Sequence, residues 1–153
     1  MPLFPELDED AMYFSMFDED QHWCRTSIKP FVLDELECQT VEHYFQAMRF
    51  ADLEYRNRVA SAESIEQVER LAKRWFKTKR KDWNKVRTTV MTRALYLQCQ
   101  MYPEMAEALR DTGDQKLVES SMYDYFWGCG RDRRGENQYG TILMNIRKKL
   151  LES

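Results

Sequence analysis

DWNKVRTTVMTRALYLQCQM, residues 82–101, is the stretch that decides the fold class. Trp83, Val86, Val90, Ala94, Leu97 and Met101 recur in it at three- and four-residue intervals, which predicts a long helix with one apolar stripe. Upstream, Val41, Tyr44, Phe45 and Met48 repeat at the same spacing, with Thr40 placed to act as the N-cap. Ile65, Val68, Leu71, Ala72 and Trp75 predict another helix over about 64–76. Downstream, Pro103 suits the first turn of a further helix that Gly113 ends. Ile142, Leu143, Ile146 and Leu150 mark the inward face of a last helix over 141–151. Strand signals are few. MYFSMF (12–17) suits a short strand, and residues 22–39 keep no period, Pro30 arguing for irregular structure or a loose hairpin. There is no internal repeat, low-complexity segment or domain boundary. The expectation is a mainly α, compact single domain with at most a small β element near the N-terminus.

Composition agrees. A chain of 153 residues, 43% hydrophobic, 13% aromatic and 32% charged, has the make-up of a globular protein and not of a disordered one. At this length about two thirds of the unfolded surface is buried on folding. Five glycines and four prolines leave little material for a turn-rich β-sandwich. No apolar run approaches the ~18 residues that span a bilayer, and MPLFPELDED lacks the basic and apolar character of a secretory signal. Cys24, Cys38, Cys99 and Cys129 form no CxxC pair, and with only His22 and His43 beside them they suggest no zinc set. Reduced thiols in a cytoplasmic protein without a membrane partner are expected.

Charge is uneven along the chain. Residues 1–20 hold seven acids and no base, an acidic arm, whereas residues 21–153 hold 23 bases against 19 acids. A mildly basic body fits a phosphorylated small molecule or a nucleic acid as partner, and the arm reads equally as a solubilising tail. Residues 70–87 concentrate nine bases around the single acid Asp82, either a solvated face or a surface that steers phosphate.

Chemistry points to two stretches. WGCGRDRRGENQYG (127–140) gathers four of the five glycines, Gly128, Gly130, Gly135 and Gly140, with Arg131, Arg133 and Arg134, just before the last helix. A glycine-rich turn, a helix N-terminus and guanidinium groups favour a bound phosphate, and Phe126 or Trp127 offers a stacking surface. A solvated connecting loop is the plainer reading. In TVEHYFQAMRF (40–50), Glu42 sits in the first turn of a helix, where a carboxylate either serves the helix dipole or points into a cleft to stabilise a positive transition state. Asp124 is a turn cap or a third candidate, and His43 reads as a structural histidine.

Taken in order, EHYFQAMRF (42–50), RKDWNKVRTTVMTRAL (80–95), DTGDQKLVES (111–120), DYFWGCG (124–130) and GENQYGTILMNIRKKL (135–150) resemble the NADAR family, also called YbiA-like. The resemblance covers most of the chain from residue 41 and implies a compact, mainly α, NADAR-like N-glycosidase domain over 21–153. It implies hydrolysis of the bond between a phosphorylated ribose and a heterocyclic amine. Family members act on phosphoribosylamino pyrimidines of early riboflavin synthesis, or remove ADP-ribose from guanine in DNA; a non-catalytic module binding ADP-ribose is the alternative of another class.

By the family match Glu42 is the key glutamate and Trp127 the family tryptophan, while Asp124, Gly128, Gly130, Asn137 and Gly140 fall on motif positions. Glu42 is assigned to the ribosyl cation and Asp124 to a water or ribose hydroxyl. Trp127 is assigned to the base, Asn137, Arg131, Arg133 and the loop amides to phosphate or ribose, and Tyr44 and Arg49 to substrate binding. Neither metal nor redox cofactor is required. Three departures stand out: Arg49 where the family commonly has Lys, HWCRTS (22–27) in place of an FSNF-like segment, and Gln98–Cys99 in place of Lys-Phe. Arg49 stays protonated, so it cannot form an imine with an opened ribose.

Overall fold

A computed structural model describes residues 8–74 and 76–152, and helix predominates in it. The order is β1 (Met12–Phe14), β2 (Phe31–Leu33), β3 (Leu36–Cys38), α1 (Val41–Ala47), α2 (Leu53–Ala60) and α3 (Ile65–Ala72). α4 (Trp83–Met101), α5 (Pro103–Asp111), β4 (Leu117–Glu119) and α6 (Gln138–Glu152) follow. The chain divides into two compact units: one runs from Arg25 to Met101, and the other joins the segment up to Cys24 to that from Tyr102 onward.

In the first unit α1 is the buried centre, packed against α2, α3, α4 and β3. Only Gln46 of its seven residues is not buried. Thr40 caps it as expected: from an extended backbone its Oγ1 accepts the His43 amide at 3.1 Å, a contact worth about 1 kcal/mol. Ser64 does the same for α3 through the Gln67 amide. That helix ends at Ala72, short of the expected Phe76, and Trp75 lies outside the described residues. α2 is an element the periodicity did not reveal, because LEYRNRVA buries only Tyr55, Val59 and Ala60; its signal is the Asp52 cap, which accepts the Glu54 amide.

α4 spans the expected residues, but its buried face is rotated. Val90, Met91, Ala94, Leu95, Gln98 and Cys99 face inward, whereas Trp83, Val86 and Leu97 are half-buried and Met101 is exposed. Gln98 turns inward because its amide donates to the Lys29 carbonyl at 3.1 Å. β2 and β3 form an antiparallel hairpin in the register Phe31↔Cys38, Val32↔Glu37 and Leu33↔Leu36. Its two-residue turn, Asp34 and Glu35, has φ of 52° and 65°, the primed geometry that matches strand twist. The basic segment after α3 is tied to the end of α1: the Arg80 amide donates to the Arg49 carbonyl at 2.8 Å, and Lys79 bridges Phe50.

In the second unit β1, inside the stretch read as an acidic arm, pairs in parallel with β4: Met12↔Leu117, Tyr13↔Val118 and Phe14↔Glu119. Phe14 meets Trp23 edge-on at 5.8 Å and Tyr139 at 6.0 Å, and the Tyr139 hydroxyl donates to the Trp23 carbonyl at 2.6 Å. α5 begins with Pro103 in its first turn and stops just before Gly113, whose φ of 64° reverses the chain. α6 starts three residues before the expected Thr141 and buries Ile142, Leu143, Ile146 and Leu150 as read. All four cysteines are buried thiols without a disulfide. Among the described residues no helix is long and apolar enough to cross a membrane.

Candidate active site

Glu42 and Gln46 stand four residues apart on α1, and Arg49 follows three residues later in the turn just past its end, so the three side chains form one row. Gln46 Nε2 donates to Glu42 Oε1 at 2.6 Å, and Arg49 Nη1 donates to Gln46 Oε1 at 2.7 Å. The other carboxylate oxygen, Oε2, accepts from Arg25 Nε. Glu42 and Arg25 are 5% and 4% exposed, and an ion pair at that depth persists only with its hydrogen bonds made. The Glu42 amide donates to the Arg25 carbonyl at 2.9 Å, so backbone and side chain hold the pair together. Arg25 also lies 5.0 Å from the Phe45 ring centre, and Phe45 packs on Trp83 at 4.9 Å. Burial pushes the Arg49 guanidinium down from its ordinary range, and Glu42 partly restores it.

Capping therefore falls to Thr40, while the Glu42 carboxylate engages side chains. His43 is structural, as read: its ring nitrogens meet Thr40 Oγ1 at 2.7 Å and the Ala62 carbonyl at 3.0 Å, and burial lowers its pKa. Tyr44 is fully buried and donates to Asp34 Oδ2 at 2.5 Å, which commits its hydroxyl to the hairpin turn. Arg93 grips both oxygens of Asp34, at 2.8 and 3.0 Å. Burial pushes the Asp34 carboxyl up, but the Arg93 and Tyr44 hydrogen bonds outweigh it and bring it below the usual range.

In the second unit Asp124 opens the glycine-rich stretch. Its Oδ1 accepts the amides of Phe126 at 3.0 Å and Trp127 at 2.7 Å, leaving Oδ2 uncommitted among the described residues. Trp127 is only 7% exposed and stands edge-on to Phe126 at 4.7 Å. The glycines answer to packing. A Cβ at Gly128 would come within 2.5 Å of Glu119 Oε1, and one at Gly140 would overlap the Leu117 carbonyl. Loop amides are largely committed: Cys129 donates to the Glu119 carbonyl, Gly130 to that of Ser121, Gly135 to that of Cys129 and Asn137 to that of Gly128. Asn137 holds φ of 50° and clamps β4, donating from Nδ2 to the Leu117 carbonyl at 2.9 Å and accepting the Glu119 amide on Oδ1 at 2.8 Å. Arg131, Arg133 and Arg134 are exposed. Arg133, with Lys116, Tyr13 and Asn137, lines a hollow of about 150 Å³.

Two charged residues escaped the sequence reading. Arg25 carries no local signal, lying seventeen residues from its partner in an irregular segment. Glu119 is fully buried and accepts the Met16 and Ser121 amides, each at 2.8 Å; its signal was the LVES run itself. Among the described residues no three His, Cys, Asp or Glu side chains are grouped to hold a metal ion.

The geometry can be set beside known proteins. The NADAR domain family model matches residues 3–151. The N-glycosidase YbiA of Escherichia coli is 32% identical over 138 residues, covering 90% of this chain and 86% of that protein. An N-glycosidase of Nostoc punctiforme is 35% identical over 114 residues, covering 72% of this chain and 73% of its own. A riboflavin biosynthesis protein of Vibrio vulnificus is 38% identical over 111 residues, and this chain spans only 30% of its length. The NMR structure of E. coli YbiA superposes with a TM-score of 0.82 at 30% identity, covering 99% of this chain and 94% of that one. With one family model spanning nearly every residue and one solved fold matching the mainly helical architecture, the chain belongs to the NADAR domain family.

Proposed function

We propose that this N-glycosidase hydrolyses the C–N bond joining a phosphorylated ribose to a heterocyclic amine, with phosphoribosylamino pyrimidines of early riboflavin synthesis as substrates. The names of the E. coli, Nostoc and Vibrio relatives support the reaction class and the pathway. The observation that carries the reading is the buried Glu42 carboxylate, fixed by Arg25 and Gln46 on separate oxygens.

Cleavage sends the C1–N electron pair to the departing nitrogen, which takes a proton, and leaves an oxocarbenium-like ribosyl group. Each Glu42 oxygen has one lone pair engaged and another to present to that cation or to a water. The water oxygen then bonds to C1 and loses a proton, giving ribose phosphate and the free amine. Asp124, pinned through Oδ1, offers Oδ2 to a ribose hydroxyl or to the water. With most of the loop amides committed, phosphate binding falls to Arg131 and Arg133. Arg49 supplies a fixed positive charge on the Glu42 face and no amine nucleophile. Unbridged thiols fit cytoplasmic action.

One observation favours a second reading, removal of ADP-ribose from guanine in DNA. The exposed Phe76 lies within the basic run 70–87, with the Arg74 guanidinium 5.8 Å from its ring centre. Incubation with each substrate separates the two. Release of ribose 5-phosphate from the pyrimidine, with DNA left intact, is the expected result. Turnover of the DNA alone moves the conclusion to the second reading, and tight binding of ADP-ribose with no turnover would make the protein a binding module.

A further inference from the structure

We infer that Tyr125 is the stacking platform for the flat heterocycle of the substrate, a subsite that rests on the N-glycosidase reading above. Trp127 offers little surface for this, being 7% exposed with Phe126 against its edge. Tyr125 is 47% exposed, and its ring lies directly on Gly130. A Cβ at Gly130 would fall among ring atoms Cδ1, Cε1 and Cζ, so the glycine is what lets the ring settle there. Backbone thereby supports the ring where it lies on Gly130, and about half of the residue meets solvent.

The backbone that carries the ring is fixed as well. The carbonyls of Tyr125, Phe126 and Trp127 accept the amides of Glu136, Gln138 and Tyr139, at 2.8, 2.9 and 3.1 Å. On the other side Asp124 Oδ1 takes the Phe126 and Trp127 amides. A supported aromatic ring adjoining a carboxylate suits a ligand that is a planar base attached to a hydroxylated sugar. The ring costs little further ordering when such a base stacks on it. Neighbouring Tyr123, 85% exposed, serves as the control.

The test uses two ligands, cytidine 5′-monophosphate as a base-bearing probe and ribose 5-phosphate as the same sugar phosphate without a base. Calorimetric titration of the full chain is expected to show the nucleotide binding more tightly. Tyr125→Ala should weaken the nucleotide about 10-fold or more and leave ribose 5-phosphate within about 2-fold, since each stacked base carries that much. Tyr125→Phe should keep nearly all of the preference, and Tyr123→Ala should not change it. With the pyrimidine substrate, Tyr125→Ala should raise KM with kcat nearly constant. Equal losses for both ligands, or a wild type that does not prefer the nucleotide, would overturn the platform. Loss of binding to both ligands together with a lowered Tm would mark Tyr125 as structural and also overturn it. A wild type that turns over neither substrate sinks the N-glycosidase reading, while the two titrations still decide the platform.

Discussion

Helix α1 and the loop over 120–140 both carry motif carboxylates, and they hold them in opposite ways. Glu42 is gripped by side chains, Arg25 and Gln46, inside a packed helix. Asp124 is gripped by main-chain amides of its own turn. In α1 the geometry depends on charge balance, so altering one charge disturbs the arrangement and its stability together. In the loop it depends on backbone shape, so glycines and a left-handed asparagine matter more than any charge. One region stores an electrostatic arrangement and the other a conformation.

The sharpest way to break this contrast is Glu42→Gln. The amide keeps the size and loses the charge, so kcat should fall about 100-fold or more, equivalent to ~3 kcal/mol of transition-state stabilisation. Arg25 would also be left buried without a counter-charge, so Tm should drop. Adding Arg25→Gln should restore most of the Tm and none of the rate. Near-normal turnover in the single variant would end the mechanism.

On the loop side, Gly140→Ala should cost about 1–3 kcal/mol in urea unfolding, because the new Cβ meets the Leu117 carbonyl and the Asn137 amide group. Asn137→Ala should cost about 1–2 kcal/mol by removing both clamps on β4 and leaving a φ of 50° to a residue that disfavours it. If either change lowered only turnover, the loop would be chemical and not conformational.

The smallest effect concerns His43. Burial depresses its folded pKa below the ordinary 6.5, so the unfolded chain binds more protons below that pH. Stability should rise with pH up to about 6.5 on this account and then level off. Thermal melts from pH 5 to 8 should show that slope in the wild type and a flatter one in His43→Gln.

Much of the helical frame was legible because periodic apolar residues and caps are local signals: Thr40, Ser64, Pro103 and Gly113 each mark the boundary expected of them. The rotation of α4 was hidden because Gln98 occupies a buried position through a distant carbonyl, which hydropathy cannot foresee. β4 is three residues long and exists as a strand through its pairing with β1, about a hundred positions away. Glu42 and Asp124 are expected from the family resemblance alone; Arg25 has no such signal, and Glu119, although inside the LVES run, takes its buried place from Met16 far along the chain. The glycine cluster is plain in the sequence, but what surrounds each glycine is not. Gly135 and Gly140 lie against backbone carbonyls, whereas Gly128 lies against the Glu119 carboxylate and Gly130 against the Tyr125 ring.

The pairing of β1 with β4 bears on how the chain matures. Residues 25–101 form their unit from contiguous sequence and have the contacts within it available once α4 has emerged. The other unit must hold Met12 in waiting until Leu117 has been synthesised. Closing so long a loop costs entropy before any contact rewards it, which places this step late and makes it slow. At synthesis rates of about 5–20 residues per second, the β1 segment spends about 5–20 seconds without its strand partner. Seven acids and no base within the first twenty residues would keep that waiting segment solvated and repelled from copies of itself on neighbouring nascent chains.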